Sequence, residues 1–171
     1  NRGIRGGGLP ARPDRSTHAS QRLGGRTVKQ RWVYAEIDAS AATVWGLLVD
    51  LDAWPRWGPS VRRASVDGGA LAAGARGKVT TSLGVSLPFE ITTFEAGVGW
   101  AWKVGGIDAT GHRVEPLGAD RCRVGFGVRW PATPYLGVCR VALGRLRRLA
   151  REQQDVGRGK PGRCPAPARP T

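Results

Sequence analysis

The sequence predicts an α+β domain in which a curved antiparallel sheet of about seven strands wraps around one long C-terminal helix. Between residues 60 and 130, strand-length runs alternate with short glycine-containing breaks, a spacing typical of hairpins. One long amphipathic run follows these strands. Because a curved sheet cannot bury its apolar face alone, this helix is the element expected to cover it.

Two short helices are predicted after the first strand. Residues 31–38 are rich in β-formers and predict that strand. Ser40 is a suitable N-cap for a helix over residues 41–49, whose apolar residues recur at helical spacing. Residues 53–59 follow as a turn or single helical turn that ends in Gly-Pro.

The remaining strands are placed by their breaks, and the last of them alternates most clearly. Alternate residues from Cys122 to Trp130 are apolar, whereas the residues between them are Arg or Gly. This pattern predicts a sheet with one buried and one solvated face. The six strands are expected at about 60–67, 76–83, 86–95, 98–104, 107–116 and 121–130.

The closing helix is expected to begin near Pro134, a residue that suits a helix N-terminus. Gly144 interrupts it at a cost in helix propensity, which predicts close packing against another element. The arginines of the helix lie mostly off its apolar stripe and are expected to be solvated. The stripe consists of Leu136, Cys139, Leu143, Leu146 and Ala150.

The positive charge is concentrated at the two ends of the chain. The 171 residues carry a net charge of +14, and residues 1–27 and 155–171 hold more than half of it. Both segments are rich in Gly, Pro and Arg and poor in apolar residues, so we expect disordered tails around a domain over 28–154. We expect the first tail to result from coding bias or upstream read-through, with a natural start near Val28; a nucleic-acid-binding arm is the alternative.

Several classes of protein are excluded or disfavoured. Cys122, Cys139 and Cys164 are odd in number and lack zinc-type spacing, which favours reduced thiols and a cytoplasmic location. No apolar run reaches the ~18 residues of a membrane span. The sequence has no nucleophile elbow, phosphate loop or metal motif, and we expect neither a metal nor a cofactor. The oligomeric state stays open.

Several motifs together resemble a known family. The runs Ile37–Trp45 and Trp54–Val61, followed by Leu87–Thr92 and Gly111–Pro116, resemble the polyketide cyclase/dehydrase branch of the START-like (SRPBCC) superfamily. The resemblance covers residues 28–153. It implies the helix-grip fold, with a deep and mostly apolar cavity between sheet and long helix that holds a hydrophobic small molecule. Because members include lipid carriers, hormone receptors and aromatase/cyclases, it does not fix the chemistry.

The candidate ligand-binding residues form a wall rich in aromatic side chains, able to stack on a flat ligand. Each of them also suits an ordinary core, and Trp57 is the best candidate for the cavity mouth. The set is Trp57, Phe89, Ile91, Trp100, Trp102, Thr110, His112, Phe126, Trp130, Leu136, Cys139 and Leu143.

His112 is the candidate catalytic residue, because it is the one histidine of residues 28–154. Strand alternation places it on the face of Asp108, Thr110 and Val114, with Val114 marking that face as inward. A buried histidine serves as a general acid or base. Asp108 lies roughly 13 Å from His112 at ~3.3 Å per residue, so the two would flank a ligand without bonding. A hydrogen-bonded cavity histidine without a catalytic role is the alternative.

Three functions are therefore open. The first is binding or carriage of a hydrophobic small molecule, such as a lipid, a polyketide or an aromatic compound. The second is a cyclase/dehydrase enzyme that uses His112 as acid/base, with Asp108 or Thr110 orienting the substrate. The third is association with nucleic acid or an anionic surface through the basic tails, which predicts steep salt dependence.

Overall fold

One antiparallel sheet forms the frame of the protein. The computed structural model describes residues 30–129 and 132–158, and its sheet has the order β1-β7-β6-β5-β4-β3-β2 over that part of the chain. Strands β2 to β7 form the predicted meander, and β1 pairs antiparallel along β7. The strands are β1 (Gln30–Ile37), β2 (Val61–Val66), β3 (Arg76–Thr81), β4 (Ser86–Glu95), β5 (Gly99–Val104), β6 (Ile107–Gly118) and β7 (Arg121–Arg129).

The two short helices are α1 (Ala41–Val49) and α2 (Trp54–Trp57), as predicted. The Ser40 hydroxyl accepts a hydrogen bond from the Thr43 amide at 3.1 Å and caps the start of α1. At its other end the indole of Trp54 donates to the Leu48 carbonyl at 3.0 Å, and that of Trp57 donates to the Leu47 carbonyl at 3.0 Å. Since the last carbonyls of a helix lack intrahelical partners, these bonds fasten α2 to the end of α1.

A 3₁₀ turn (Thr133–Tyr135) leads into the long helix α3 (Leu136–Arg158), which confirms the predicted covering helix. Its buried side includes Cys139, Leu143, Leu146 and Ala150. The arginines predicted to lie off this stripe are exposed, and Arg151 forms an ion pair with Asp38. They are Arg140, Arg147, Arg148 and Arg151. The helix continues to Arg158, four residues beyond the predicted domain end at residue 154.

The end of α3 is tied to the rest of the fold by Gln154. Its carboxamide oxygen accepts from the Ser40 amide at 3.1 Å, and its nitrogen donates to Asp120 at 2.8 Å. These bonds join the end of α3 to the N-terminus of α1 and to the turn before β7, and they stabilise the last turns of α3.

The outer face of the sheet is less solvated than predicted. Gly111, Gly125 and Gly127 form a strip without side chains, and the Trp32 ring lies over it. A Cβ atom on Gly127 would come within 2.6 Å of that ring. Gly125 and Gly127, expected on the wet face, are buried because Trp32 and Tyr34 of β1 cover them.

The predicted tails, residues 1–27 and most of 155–171, lie outside the described residues, as do Cys164 and Trp130. Binding through the tails therefore stays a prediction. Across residues 30–129 and 132–158, none of the helices combines the length and the apolar character needed to cross a membrane.

Replacing Gly144 tests the correction to α3. The structure leaves Gly144 exposed, with nothing within 4 Å of an added Cβ atom, so the expected close packing is wrong. Gly144→Ala is expected to stabilise the protein by about 0.5–1 kcal/mol through helix propensity alone. Urea unfolding measures this. Gly99→Ala is the control and is expected to destabilise, since its Cβ atom would meet the His112 carbonyl oxygen at 2.4 Å.

A double-mutant cycle tests the cover that Trp32 gives the glycine strip. Gly127→Ala is expected to cost about 1–3 kcal/mol, because its methyl group displaces the Trp32 ring. In a Trp32→Ala background the same change is expected to be close to neutral. Equal costs in the two backgrounds, measured by urea unfolding, would mean that the ring is not seated there.

Candidate ligand-binding site

Aromatic rings fill most of the interior between α2 and the sheet. The Trp54 ring stacks on Trp100 with centroids 5.3 Å apart and planes 8° apart. It meets Trp102 edge-on at 5.1 Å and Phe89 at 6.0 Å. Trp54 is 1% exposed. Such offset and edge contacts add to the energy of burial, so this part of the interior is solid core.

The predicted deep cavity is therefore wrong at its centre. The space left there, which we call the inner cavity, has a volume of ≈ 40 Å³. Four of the predicted ligand-binding residues do not line the inner cavity. Phe89, Ile91 and Leu143 are buried in the core, and Leu136 is partly buried and packs against the core. The inner cavity is small because the Trp54 ring fills the space beside it. The hydrogen bond from its indole to the Leu48 carbonyl orients this ring towards the sheet.

The inner cavity nevertheless collects most of the predicted ligand-binding residues. Seven of them line it: Trp57, Trp100, Trp102, Thr110, His112, Phe126 and Cys139. Sequence reasoning missed the other walls, which come from α2, the loop before β2, the 3₁₀ turn and α3. They are Trp54, Gly58, Pro59, Ser60, Val61, Tyr135, Val138 and Ala142.

A larger space, the outer cleft, opens beside the inner cavity. Its volume is ≈ 310 Å³. The two spaces are adjacent, because five residues line both of them. These are Ser60, Val61, Trp102, Thr110 and Tyr135. The rest of the cleft is lined by Val79, Thr81, Val104, Asp108, Ala109, Val128 and Ala132.

Most cleft residues were not predicted, although a signal was available. Val79, Val104 and Val128 alternate with polar residues or glycine, which marks an inward face, but nothing in the pattern separates a core valine from one beside a cleft. At the rim, the hydroxyl groups of Ser60 and Tyr135 lie 2.6 Å apart. This hydrogen bond joins the 3₁₀ turn to the start of β2.

His112 lies in the floor of the inner cavity and is 4% exposed. The Trp102 indole donates to the Thr110 hydroxyl at 2.9 Å, and that hydroxyl lies 3.2 Å from Nε2 of His112. The Trp100 ring centroid is 3.9 Å from the imidazole centroid, and that of Phe126 is 4.7 Å away. The prediction that His112 faces inward beside Thr110 is confirmed.

This environment keeps the imidazole neutral. Burial lowers the pKa of His112 to about 3, and a backbone contact with Trp100 only partly opposes the shift. An efficient acid or base has a pKa near the working pH. Near neutral pH this imidazole carries no proton to give as an acid, and it is a weak base.

Asp108 makes no hydrogen bond to His112, as predicted, and it lines the outer cleft rather than the inner cavity. The pairing of β5 and β6 shifts register between Ala101 and Lys103, so Asp108 lies opposite Lys103 instead of continuing the alternation of Thr110 and His112. Its carboxylate forms an ion pair with Arg129. The sequence could not show this, because a bulge changes the face of a residue without changing the hydrophobic pattern.

The two described cysteines are free thiols, as expected. Burial raises the pKa of Cys122 and of Cys139 to about 11 in each case. Since the thiolate is the reactive form, both are inert near neutral pH. Cys139 therefore contributes an apolar wall to the inner cavity.

A long helix held by a curved antiparallel sheet, with a small apolar site beside it, defines the helix-grip class of protein. A family model described as "Polyketide cyclase / dehydrase and lipid transport" matches residues 22–153. The chain belongs to this family, as its motifs indicated. None of the curated proteins searched matches it.

Solved structures with the same fold include aromatase/cyclases. The ZhuI aromatase/cyclase from a Streptomyces species is 10% identical with a TM-score of 0.58, over 74% of this chain and 96% of that one. The di-domain aromatase/cyclase BexL is 14% identical with a TM-score of 0.58, over 72% and 46%. A Thermobifida fusca protein is 19% identical with a TM-score of 0.58, over 72% and 93%. At these identities the likeness shows the fold alone.

The pH dependence of stability tests the buried neutral His112. Between pH 6.5 and about 3 the unfolded chain binds a proton at this residue and the folded protein does not. Stability is therefore expected to fall as the pH falls, by up to about 1.4 kcal/mol per pH unit from this group. His112→Phe is expected to remove that part of the slope in urea unfolding at pH 7, 6 and 5. A slope that is the same in both proteins would show that folding does not lower the pKa of His112.

Proposed function

We propose that the protein binds a small hydrophobic molecule of one or two rings in the outer cleft. The observation that carries this is the cleft itself, a mostly apolar space of ≈ 310 Å³ bordered by Trp102 and four valines. Ligand sites are concave, mostly apolar and furnished with few polar groups. Thr110 and the Ser60–Tyr135 pair supply polar groups here.

The volume favours compact ligands over long ones. An apolar cavity of about 150 Å³ takes one benzene ring, so the outer cleft has room for two fused rings. It is too short for an extended lipid chain or a four-ring polyketide, because Trp54 and its neighbours occupy the space such a ligand would need. Among lipid, polyketide and aromatic ligands, a small aromatic or a short polyketide fits best.

Binding is better supported than acid–base catalysis. His112 is buried beneath Trp100 and Phe126 with its pKa lowered to about 3, and Asp108 is paired with Arg129. The role that suits His112 is that of a neutral hydrogen-bonding group in the floor of the site. The family description, which names lipid transport beside cyclase/dehydrase activity, is compatible with a binding protein.

A cleft-filling substitution tests the proposal. Val61 lines both spaces, so Val61→Phe is expected to reduce the affinity for 2-ethylnaphthalene at least tenfold by occupying the cleft. Calorimetry or tryptophan quenching measures the affinity. The control is Val98→Phe, the same change at a 44% exposed residue that does not line the cleft; it is expected to leave binding unchanged.

Two results would contradict the proposal. One is no measurable binding of 2-ethylnaphthalene to the wild-type protein. The other is equal binding by the Val61→Phe and Val98→Phe variants, which would place the ligand elsewhere.

A further inference from the structure

Two buried ring nitrogens of residues that line the inner cavity have no hydrogen-bond partner in the part of the chain that the structure describes. Trp100 and His112 are 2% and 4% exposed, and both line the inner cavity. The Trp100 indole Nε1 and the His112 Nδ1 make no hydrogen bond among the described residues. A buried polar group without a partner is costly, so each such group in a native fold calls for an explanation.

The hydrogen bonds around Thr110 decide which His112 nitrogen carries the proton. Thr110 has one hydroxyl hydrogen, and its oxygen already accepts from the Trp102 indole. The hydrogen bonds of the described residues give that hydrogen no acceptor other than Nε2 of His112, which assigns the hydroxyl as the donor to Nε2. Since the imidazole is neutral, its proton then lies on Nδ1. The unpartnered His112 atom is therefore a donor, like that of Trp100.

We propose that Trp100 Nε1 and His112 Nδ1 together bind a neutral carbonyl oxygen of the ligand. This rests on the proposed function and adds to it, because it names the group that the ligand must carry. The ring system lies in the outer cleft, and the carbonyl reaches past Trp102 and Thr110, which line both spaces. A carbonyl oxygen accepts two hydrogen bonds, which satisfies both donors.

The size and charge of the inner cavity select this ligand group. A volume of ≈ 40 Å³ exceeds the 10–15 Å³ needed by one water but is far below that of a ring. None of the residues lining it is charged. A carboxylate or phosphate would therefore lose its hydration without gaining a cation, which disfavours an anion. A ketone, quinone or amide carbonyl meets neither obstacle.

A matched pair of ligands tests this directly. 2-Acetylnaphthalene and 2-ethylnaphthalene have nearly the same shape, but only the first carries a carbonyl. The ketone is expected to bind wild-type protein at least tenfold more tightly by calorimetry, because only it pairs the two donors. On binding, the indole proton of Trp100 is expected to move downfield in a ¹H–¹⁵N spectrum, whereas the hydrocarbon leaves it in place.

Variants assign the preference to the donor pair. Trp100→Phe keeps a ring and removes the indole N–H, and it is expected to reduce the ketone preference to under threefold. Trp45→Phe is the control, since Trp45 packs on Phe94 away from the inner cavity and its variant is expected to keep the preference. Should Trp100→Phe not fold, the Trp100 signal of the wild-type protein, assigned from its contacts with the Trp54 ring, decides the question.

The outcomes separate this inference from the proposed function. Equal affinity for ketone and hydrocarbon, with no shift of the Trp100 signal, would overturn the carbonyl site and leave the cleft as a site for apolar rings. The donors would then be satisfied by water. Binding of neither compound would overturn both proposals.

Discussion

The hydrogen bond from the Trp54 indole to the Leu48 carbonyl governs how much of the interior is left open. A helix of four residues, α2, has little stability of its own. It is held because its two tryptophans satisfy carbonyls at the end of α1. Once Trp54 is fixed in this way, its ring lies flat on Trp100 and edge-on to Trp102. The space that the sheet and α3 would otherwise enclose is then filled by side chains.

This packing divides the site into two parts of different character. The inner cavity is small and uncharged, with two unpartnered donors, whereas the outer cleft is larger and lined mainly by apolar residues. Trp102 belongs to both, since its ring packs in the aromatic cluster and its indole fixes Thr110. The network Trp102–Thr110–His112 thus turns an otherwise apolar floor into one with a defined direction of hydrogen bonding. Such a floor selects ligands by their functional group, whereas the cleft selects them by their shape.

The sequence sufficed for the framework, because strands β2 to β6 each end at a glycine-containing break and β7 alternates without interruption. The apolar stripe of α3 and the Ser40 cap were equally visible, since both depend on local spacing. The face of Asp108 was not visible, because one bulge in β6 breaks the alternation between Asp108 and Thr110. The cover over Gly125 and Gly127 was also hidden, since it comes from a strand almost a hundred residues earlier, and sheet order is not written in local pattern. The prediction of how far the cavity extends was wrong for the same reason, because whether Trp54 lines a space or fills it depends on residues distant in the sequence.

The distribution of empty space is best measured by xenon binding in a crystal of the protein, because xenon enters dry apolar cavities. We expect xenon in the outer cleft beside Val104 and Val128, and none between Trp54 and the sheet. Xenon density between Trp54 and Phe89 would show that the interior is hollow where the aromatic cluster should be, and would contradict this account of the site.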